Sequence, residues 1–265
     1  MSSNQKMTLY KIKRVIQEIL QLRKNFYNWD SILKRSINGK SVKVLNLRNG
    51  LTFYNANQNT LSIFKEIFVN NVYKREGVKI NEGDIVFDIG ANVGVFSLYA
   101  SIIKGTKVYA FEPHPTNFKV LSNNVSQNKI TNIECFEFAV GIDNEDRILI
   151  EGNIAGGHKL SNEKEFVYSE GSLNVKSVTL SRMTEKLDID TIDFVKLDCE
   201  GAEGEIIKSL GQDGLKKIKK MAIEFHDNHS ILSHEEIIEE LENSGFKTFI
   251  KWDGKSYFGY IYANR

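Results

Sequence analysis

Cysteine and proline are both scarce, with two of each in 265 residues. Cys135 and Cys199 are too few for a disulfide framework and lack the paired spacing of a structural metal site, so each reads as a small buried hydrophobe. No stretch approaches the roughly 18 consecutive apolar residues of a membrane-spanning helix. No charged segment is followed by the apolar core of a signal peptide, and the expected address is a reducing cytoplasm. Internal repeats and low-complexity runs are missing too. What is present is an ordinary globular mixture, 41% hydrophobic and 26% charged. A chain of this length and composition buries a full core, which excludes wholesale disorder and collagen-like or disulfide-scaffold folds. One elaborated domain or two small ones fit the length.

The net charge of +1 is unevenly spread. Residues 1–40 carry nine Lys and Arg against Glu18 and Asp30, a net of +7, so the remainder carries −6. A basic N-terminal segment permits peripheral contact with an anionic surface such as a membrane, although a solvated helix face is the blander account. The balanced total argues against a dedicated nucleic-acid binder. Oligomeric state is not legible.

From Gln5 to about Tyr27, Leu9, Ile12, Ile16, Ile19, Leu20 and Phe26 recur at helical spacing. Val42–Asn46 and Leu51–Tyr54 then flank Asn49-Gly50, a dipeptide that favours a tight hairpin turn. A second helical pattern runs through Leu61, Phe64, Ile67, Phe68 and Val72. Residues 1–80 therefore read as a helical and hairpin extension. From 81 to 265 the texture changes to short apolar runs alternating with helices. The runs are Ile85–Ile89, Thr106–Phe111, Ile133–Val140, Ile192–Asp198 and Met221–His226. This alternation predicts βαβ units and a parallel sheet. Ser233-His234-Glu235-Glu236 reads as a capping box, and Phe246–Trp252, Asp253-Gly254 and Tyr257–Tyr262 as a closing hairpin that makes the last strand antiparallel. The connection from about Glu151 to Val175 is long enough to act as a flap, with His158 as a candidate acceptor contact or a plain surface histidine.

The first chemical signal is Asp88-Ile89-Gly90-Ala91-Asn92-Val93-Gly94, a strand end, a glycine-containing loop and a helix start. Ligands of open α/β sheets bind at such carboxyl ends, and Gly90 and Gly94 lack the Cβ atoms that would obstruct a close approach. The dinucleotide fingerprint G-x-G-x-x-G is not met, because Asn92 and Val95 stand where its second and third glycines would be. Asp88 also repels a pyrophosphate and suits a cationic ligand. Glu112 closes the next strand, where an acid accepts hydrogen bonds from both ribose hydroxyls of an adenosine ligand. Pro113 and Pro115 bracket His114 there and stiffen the turn. Together these features point to S-adenosylmethionine.

Residues 84–141 resemble the class I S-adenosylmethionine methyltransferases and, more narrowly, the FkbM-type family. The likeness rests on Val86–Phe96, Phe111–Phe118, Leu121–Asn124 and Ala139-Val140-Gly141. Ile192–Glu203, with Asp198-Cys199-Glu200-Gly201-Ala202-Glu203, looks like the family's most diagnostic segment. Asn92 departs from the broader class, where glycine is commoner. The likeness covers roughly residues 80–226 well and the region of Tyr73 loosely. It implies a Rossmann-like sheet, mostly parallel, with helices on both faces, and methyl transfer to a hydroxyl of a sugar or natural product. Carried over residue by residue, it places Asp88, Gly90 and Asn92 near the methionine end of the donor, Glu112 on its ribose, and Glu137 to Val140 at the adenine.

The second cluster is Asp198, Glu200, Glu203, Glu224 and His226. Glu224 and His226 sit two apart on one strand and share a face. If the strand ending in Asp198 is its neighbour, three ionisable groups converge beside the donor. Lys196 reads as a counter-ion or a snorkelling side chain. Glu203 is best read as an acid in a first helical turn, and Glu200 as a cap or a substrate contact. A hydroxyl acceptor needs its proton taken, and His226 titrates in a suitable range, with Asp198 or Glu224 orienting it. Alternatively Asp198, Glu224 and His226 hold a divalent metal, which the spacing allows but does not require. A non-catalytic methyltransferase-like binding module is the competing functional class.

Overall fold

The computed structural model describes residues 3–54, 58–75, 77–150, 159–161 and 172–265. The chain divides into two compact units, Met1–Lys65 and Glu66–Arg265.

The first unit holds α1 (Ser3–Asn25), α2 (Trp29–Ile37), the antiparallel pair β1 (Val44–Asn46) and β2 (Thr52–Tyr54), and α3 (Gln58–Phe64), which runs into a π-turn at Lys65–Val69. The expected helix and the Asn49-Gly50 hairpin are both present. Leu22 and Phe26 at the end of α1 are buried, as are Ile32, Leu45 and Phe53, and the Phe26 and Phe64 rings lie 4.5 Å apart.

The second unit is built on β3 (Ile85–Ile89), α4 (Val95–Ser101), β4 (Lys107–Phe111), α5 (Pro115–Gln127), β5 (Ile133–Phe136), β6 (Ala139–Val140), β7 (Arg147–Ile150), β8 (Lys159–Ser161), β9 (Ser172–Val175) and β10 (Ser177–Val178). It continues with α6 (Leu180–Lys186), β11 (Phe194–Leu197), α7 (Glu203–Lys216), β12 (Lys220–His226), α8 (His234–Asn243), β13 (Lys247–Lys251) and β14 (Phe258–Asn264). Seven strands form one sheet in the order β13-β14-β12-β11-β3-β4-β5, parallel except where β14 runs against both of its neighbours. The middle strands are apolar and buried along nearly their whole length, as strands covered on both faces must be.

The chain steps outward from β3 through β4 to β5, and in the opposite direction from β11 to β12. Right-handed crossovers then put α4 and α5 on one face and α7 on the other. Strand order reverses between β3 and β11, and a crevice opens at the carboxyl ends of such a pair. That switch point is where Asp88 and Asp198 arrive.

Two expectations are corrected. The run Ile133–Val140 is not one strand. β5 is the sheet edge and stops at Phe136, and Ala139–Val140 turns away to pair in parallel with Ser177–Val178. The connection after Glu151 is not simply a loop, because β8 and β9 add antiparallel strands to β7. Residues 151–158 and 162–171 lie outside the described residues, and with them His158.

Candidate active site

The loop after β3 is held by its neighbours. Gly90 adopts φ +77°, and a Cβ there would lie 1.9 Å from the carbonyl oxygen of Asp198. Its glycine is required by the close approach of the β3 and β11 ends. Asp88 is fully buried; it accepts a hydrogen bond from Ser97 Oγ at 2.5 Å and pairs with Lys196 Nζ at 3.2 Å. Lys196 also donates to the Gly90 carbonyl at 2.6 Å and lies 3.4 Å from Asp198 Oδ2. It is a buried counter-ion and does not snorkel to solvent. Burial disfavours its charge, but Asp88 and Asp198 outweigh that and raise its pKa further, so it stays an ammonium.

Glu112 is buried, and burial raises its pKa against several hydrogen bonds that lower it. Its carboxylate accepts the Asn92 N–H at 2.8 Å and the His114 N–H at 2.9 Å, with Asn117 Nδ2 at 3.5 Å. Asn92 needs this support, because its φ of +51° is left-handed. The acid thus ties the β3 loop to the proline turn. A carboxylate has about four lone-pair sites, so acceptor capacity for hydroxyls remains. Glu137 is exposed, whereas Val140 is 3% exposed and part of the main apolar cluster, on a strand outside the seven-stranded sheet.

β11 and β12 are neighbours, so Asp198, Glu224 and His226 do converge. One ligand atom from each lies within 4.8 Å of the others, close enough to share a divalent ion. Other groups already serve these atoms. The Tyr73 hydroxyl lies 2.9 Å from Asp198 Oδ2 and 3.1 Å from Glu224 Oε2. A hydroxyl has one proton, so it donates to one carboxylate at a time, and the other contact needs a proton of its own. Glu224 supplies it. Burial first, and the Asp198 charge second, push its pKa up to about 8. The Tyr73 ring meets Phe96 and Tyr260 edge to face, at 5.3 and 6.0 Å between centroids.

His226 is 5% exposed, with Nδ1 3.3 Å from Glu203 Oε1 and Nε2 3.6 Å from Glu200 Oε2. Burial alone would depress its pKa. The hydrogen bond and charge of Glu203, with Asp198 and Glu200, push it up to about 10 instead. These contacts favour the protonated imidazole at neutral pH. Glu203 is indeed in the first turn of α7, but it is fully buried and turns back to accept the N–H groups of Cys199 at 2.8 Å and Gly201 at 3.0 Å. It anchors both the β11 loop and the imidazolium.

Glu200 stands at the open side of this network. Its side chain is 32% exposed, and its backbone adopts φ +53°. The next residue, Gly201, is also left-handed at φ +113°, and a Cβ on it would lie 2.6 Å from the His229 Cβ. Burial, then Asp198 and Glu203 against the opposing His226 charge, push the Glu200 pKa up to about 7. A half-exposed carboxylate with a pKa near neutrality is suited to exchange a proton with a bound molecule.

Of the expected residues, Asp88, Gly90, Asn92 and Glu112 meet around one loop, and Asp198, Glu200, Glu224 and His226 meet around the next. Residues 88–248 match the Methyltransferase FkbM domain, which is more than half of the chain. The chain belongs to the FkbM methyltransferase family. Among its relatives in this family, the 31-O-demethyl-FK506 methyltransferase FkbM of Streptomyces tacrolimicus is 26% identical over 241 residues, covering 80% of this chain and 92% of the other. The hexuronic acid methyltransferase AglP of Haloferax volcanii is 28% identical over 147 residues, covering 55% and 57%. The crystal structure of methyltransferase FkbM from Methylobacillus flagellatus is 18% identical, covering 72% of this chain and 46% of that one with a TM-score of 0.48. Family membership supports the methyltransferase over the non-catalytic module.

Two residues of this cluster escaped sequence reasoning in their roles. Tyr73 precedes the matched segment, and its only signal is a loose likeness around it. Glu203 is disguised by a position where an acid needs no special reason.

Proposed function

We propose that this protein is an S-adenosylmethionine-dependent O-methyltransferase acting on a hydroxyl of a sugar or natural product. The observation that carries the reading is the carboxylate cluster at the switch point, with Glu200 poised near neutrality beside a loop anchored by Glu112. S-adenosylmethionine supplies an activated methyl group when bound. The chain's own residues do the rest. Glu112 holds the ribose hydroxyls while it fixes Asn92. Glu200 takes the acceptor's proton, and the Glu203–His226 pair orients it and offsets its charge. Asp198, held by Tyr73 and Lys196, keeps its carboxylate directed at the crevice.

Screening hydroxylated glycosides and natural products for uptake of labelled methyl tests the reaction. Transfer only to nitrogen or carbon nucleophiles, or none from a donor that binds, would overturn it. Glu112→Ala is expected to weaken S-adenosylhomocysteine binding at least about tenfold in calorimetry, since each charged hydrogen bond contributes roughly 1.5–3 kcal/mol. The loop it ties should loosen as well, lowering the unfolding temperature. Unchanged affinity would move the donor away from this turn.

A metal-assisted version uses the same residues, because a divalent ion at Asp198, Glu224 and His226 also lowers a hydroxyl's pKa. It would require His226 to give up the proton that Glu203 stabilises, and the present hydrogen bonds favour the metal-free version. Activity is therefore expected to survive chelation. Loss on chelation with recovery on added Mg²⁺ or Mn²⁺ would transfer the role to the ion.

A further inference from the structure

The first unit has a surface that methyl transfer does not use. Five of the twelve large hydrophobic side chains exposed among the described residues fall within the first 40 positions: Val15, Ile16, Leu20, Tyr27 and Ile37. That is far above their share of the chain. Ile16 and Leu20 are four residues apart on α1 and so lie one above the other on one face, 51% and 57% exposed. Val15 is 53% exposed too, but one residue along the helix it projects about 100° away from Ile16. Ile37, at the end of α2, is the most exposed of the five at 76%. A soluble surface scatters such side chains singly, whereas a run of them on one helix face marks a contact.

The charge beside that face selects the occupant. Lys24 is one turn from Leu20, and Lys13 two turns from it, both exposed. Lys34 and Lys40 flank Ile37 and are exposed as well. The segment 1–40 carries a net +7 with only Glu18 and Asp30 opposing it. An apolar stripe bordered by lysines is the pattern of a helix that lies in the plane of a bilayer surface, its aliphatic groups among the acyl chains and its ammonium groups at anionic headgroups. Two copies of so basic a face would repel one another, which disfavours self-association. A nucleic acid would satisfy the lysines but leave Ile16 and Leu20 in water. No helix among the described residues is long and apolar enough to cross a membrane, so the contact is peripheral.

We infer that the first unit, through Ile16, Leu20 and Ile37 with their flanking lysines, docks this methyltransferase on an anionic phospholipid surface. The docking is independent of how the methyl group is transferred.

The test is sedimentation of the full chain with phosphatidylcholine vesicles, with and without phosphatidylglycerol, at low and high salt. The protein is expected to sediment with the anionic vesicles and to be released by salt, since exposed charges are screened within a Debye length of about 10 Å at 0.1 M. Ile16→Glu with Leu20→Glu, and separately Lys13→Glu with Lys24→Glu, are each expected to weaken partitioning at least about tenfold. Both variants should keep the parent's unfolding temperature and affinity for S-adenosylhomocysteine. Equal sedimentation with neutral and anionic vesicles, or variants that bind as the parent does, would overturn the proposal. So would an apolar variant that only converts a dimer to a monomer. Binding to polyuridylic acid that is lost in the lysine variant but kept in the apolar variant would assign the surface to nucleic acid instead.

Discussion

Glu200→Gln is expected to lower the rate of methyl transfer by about 10²–10⁴, with affinity for S-adenosylhomocysteine nearly unchanged. The amide keeps the shape of the carboxylate but cannot accept a proton. The parent rate should rise with pH through about 7, where Glu200 ionises under the pull of burial and the surrounding charges, and level off above it. The sign follows because only the ionised carboxylate is a base. The variant should lack that step. His226→Asn should behave differently: removing the imidazolium takes away a charge that lowers the Glu200 pKa, so the profile should move to higher pH. If His226 were itself the base, its variant would lose the step instead of shifting it. Full activity of Glu200→Gln on the acceptor found by the labelled-methyl screen would remove Glu200 from the chemistry.

Lys196→Met should have the largest effect on stability. Its side chain is 4% exposed and stands between Asp88, wholly buried, and Asp198. Removing one partner of a buried pair leaves the other as an uncompensated charge, which costs about 3–5 kcal/mol. For a chain of this size that corresponds to a fall of about 6–20 °C in unfolding temperature. The double variant Lys196→Met with Asp88→Asn should recover much of the loss, because the wholly buried charge is then gone and Asp198 is partly exposed. A single variant as stable as the parent would mean that the Lys196–Asp88 pair does not stabilise the fold.

Much of the sheet was written locally. β3, β4, β11 and β12 are short apolar runs, and Ser233 and Glu236 form the reciprocal cap their spacing predicts. The strand break at Phe136 was not visible, since Phe138 to Val140 is as apolar as the run before it. Only the lack of a further neighbour beyond the sheet edge, and the availability of Ser177–Val178, turn the chain away there.

At the site, residue types and strand ends singled out the glycine loop and Glu112 as candidates and anticipated the convergence of Asp198, Glu224 and His226, because a strand's period of two fixes which side chains share a face. Protonation states were beyond the sequence. His226 carries an ordinary histidine's pKa on paper. Glu203, 23 residues earlier and hidden in a helix's first turn, pushes its pKa up to about 10, while Glu200 is pushed up to about 7. Tyr73 reaches Asp198 across 125 residues of chain. Composition and periodicity decided which residues stand at the carboxyl edge of this sheet. Which of them holds a proton was decided by burial and by charges brought close only in the folded state, since electrostatic energies depend on distance in space and not along the chain.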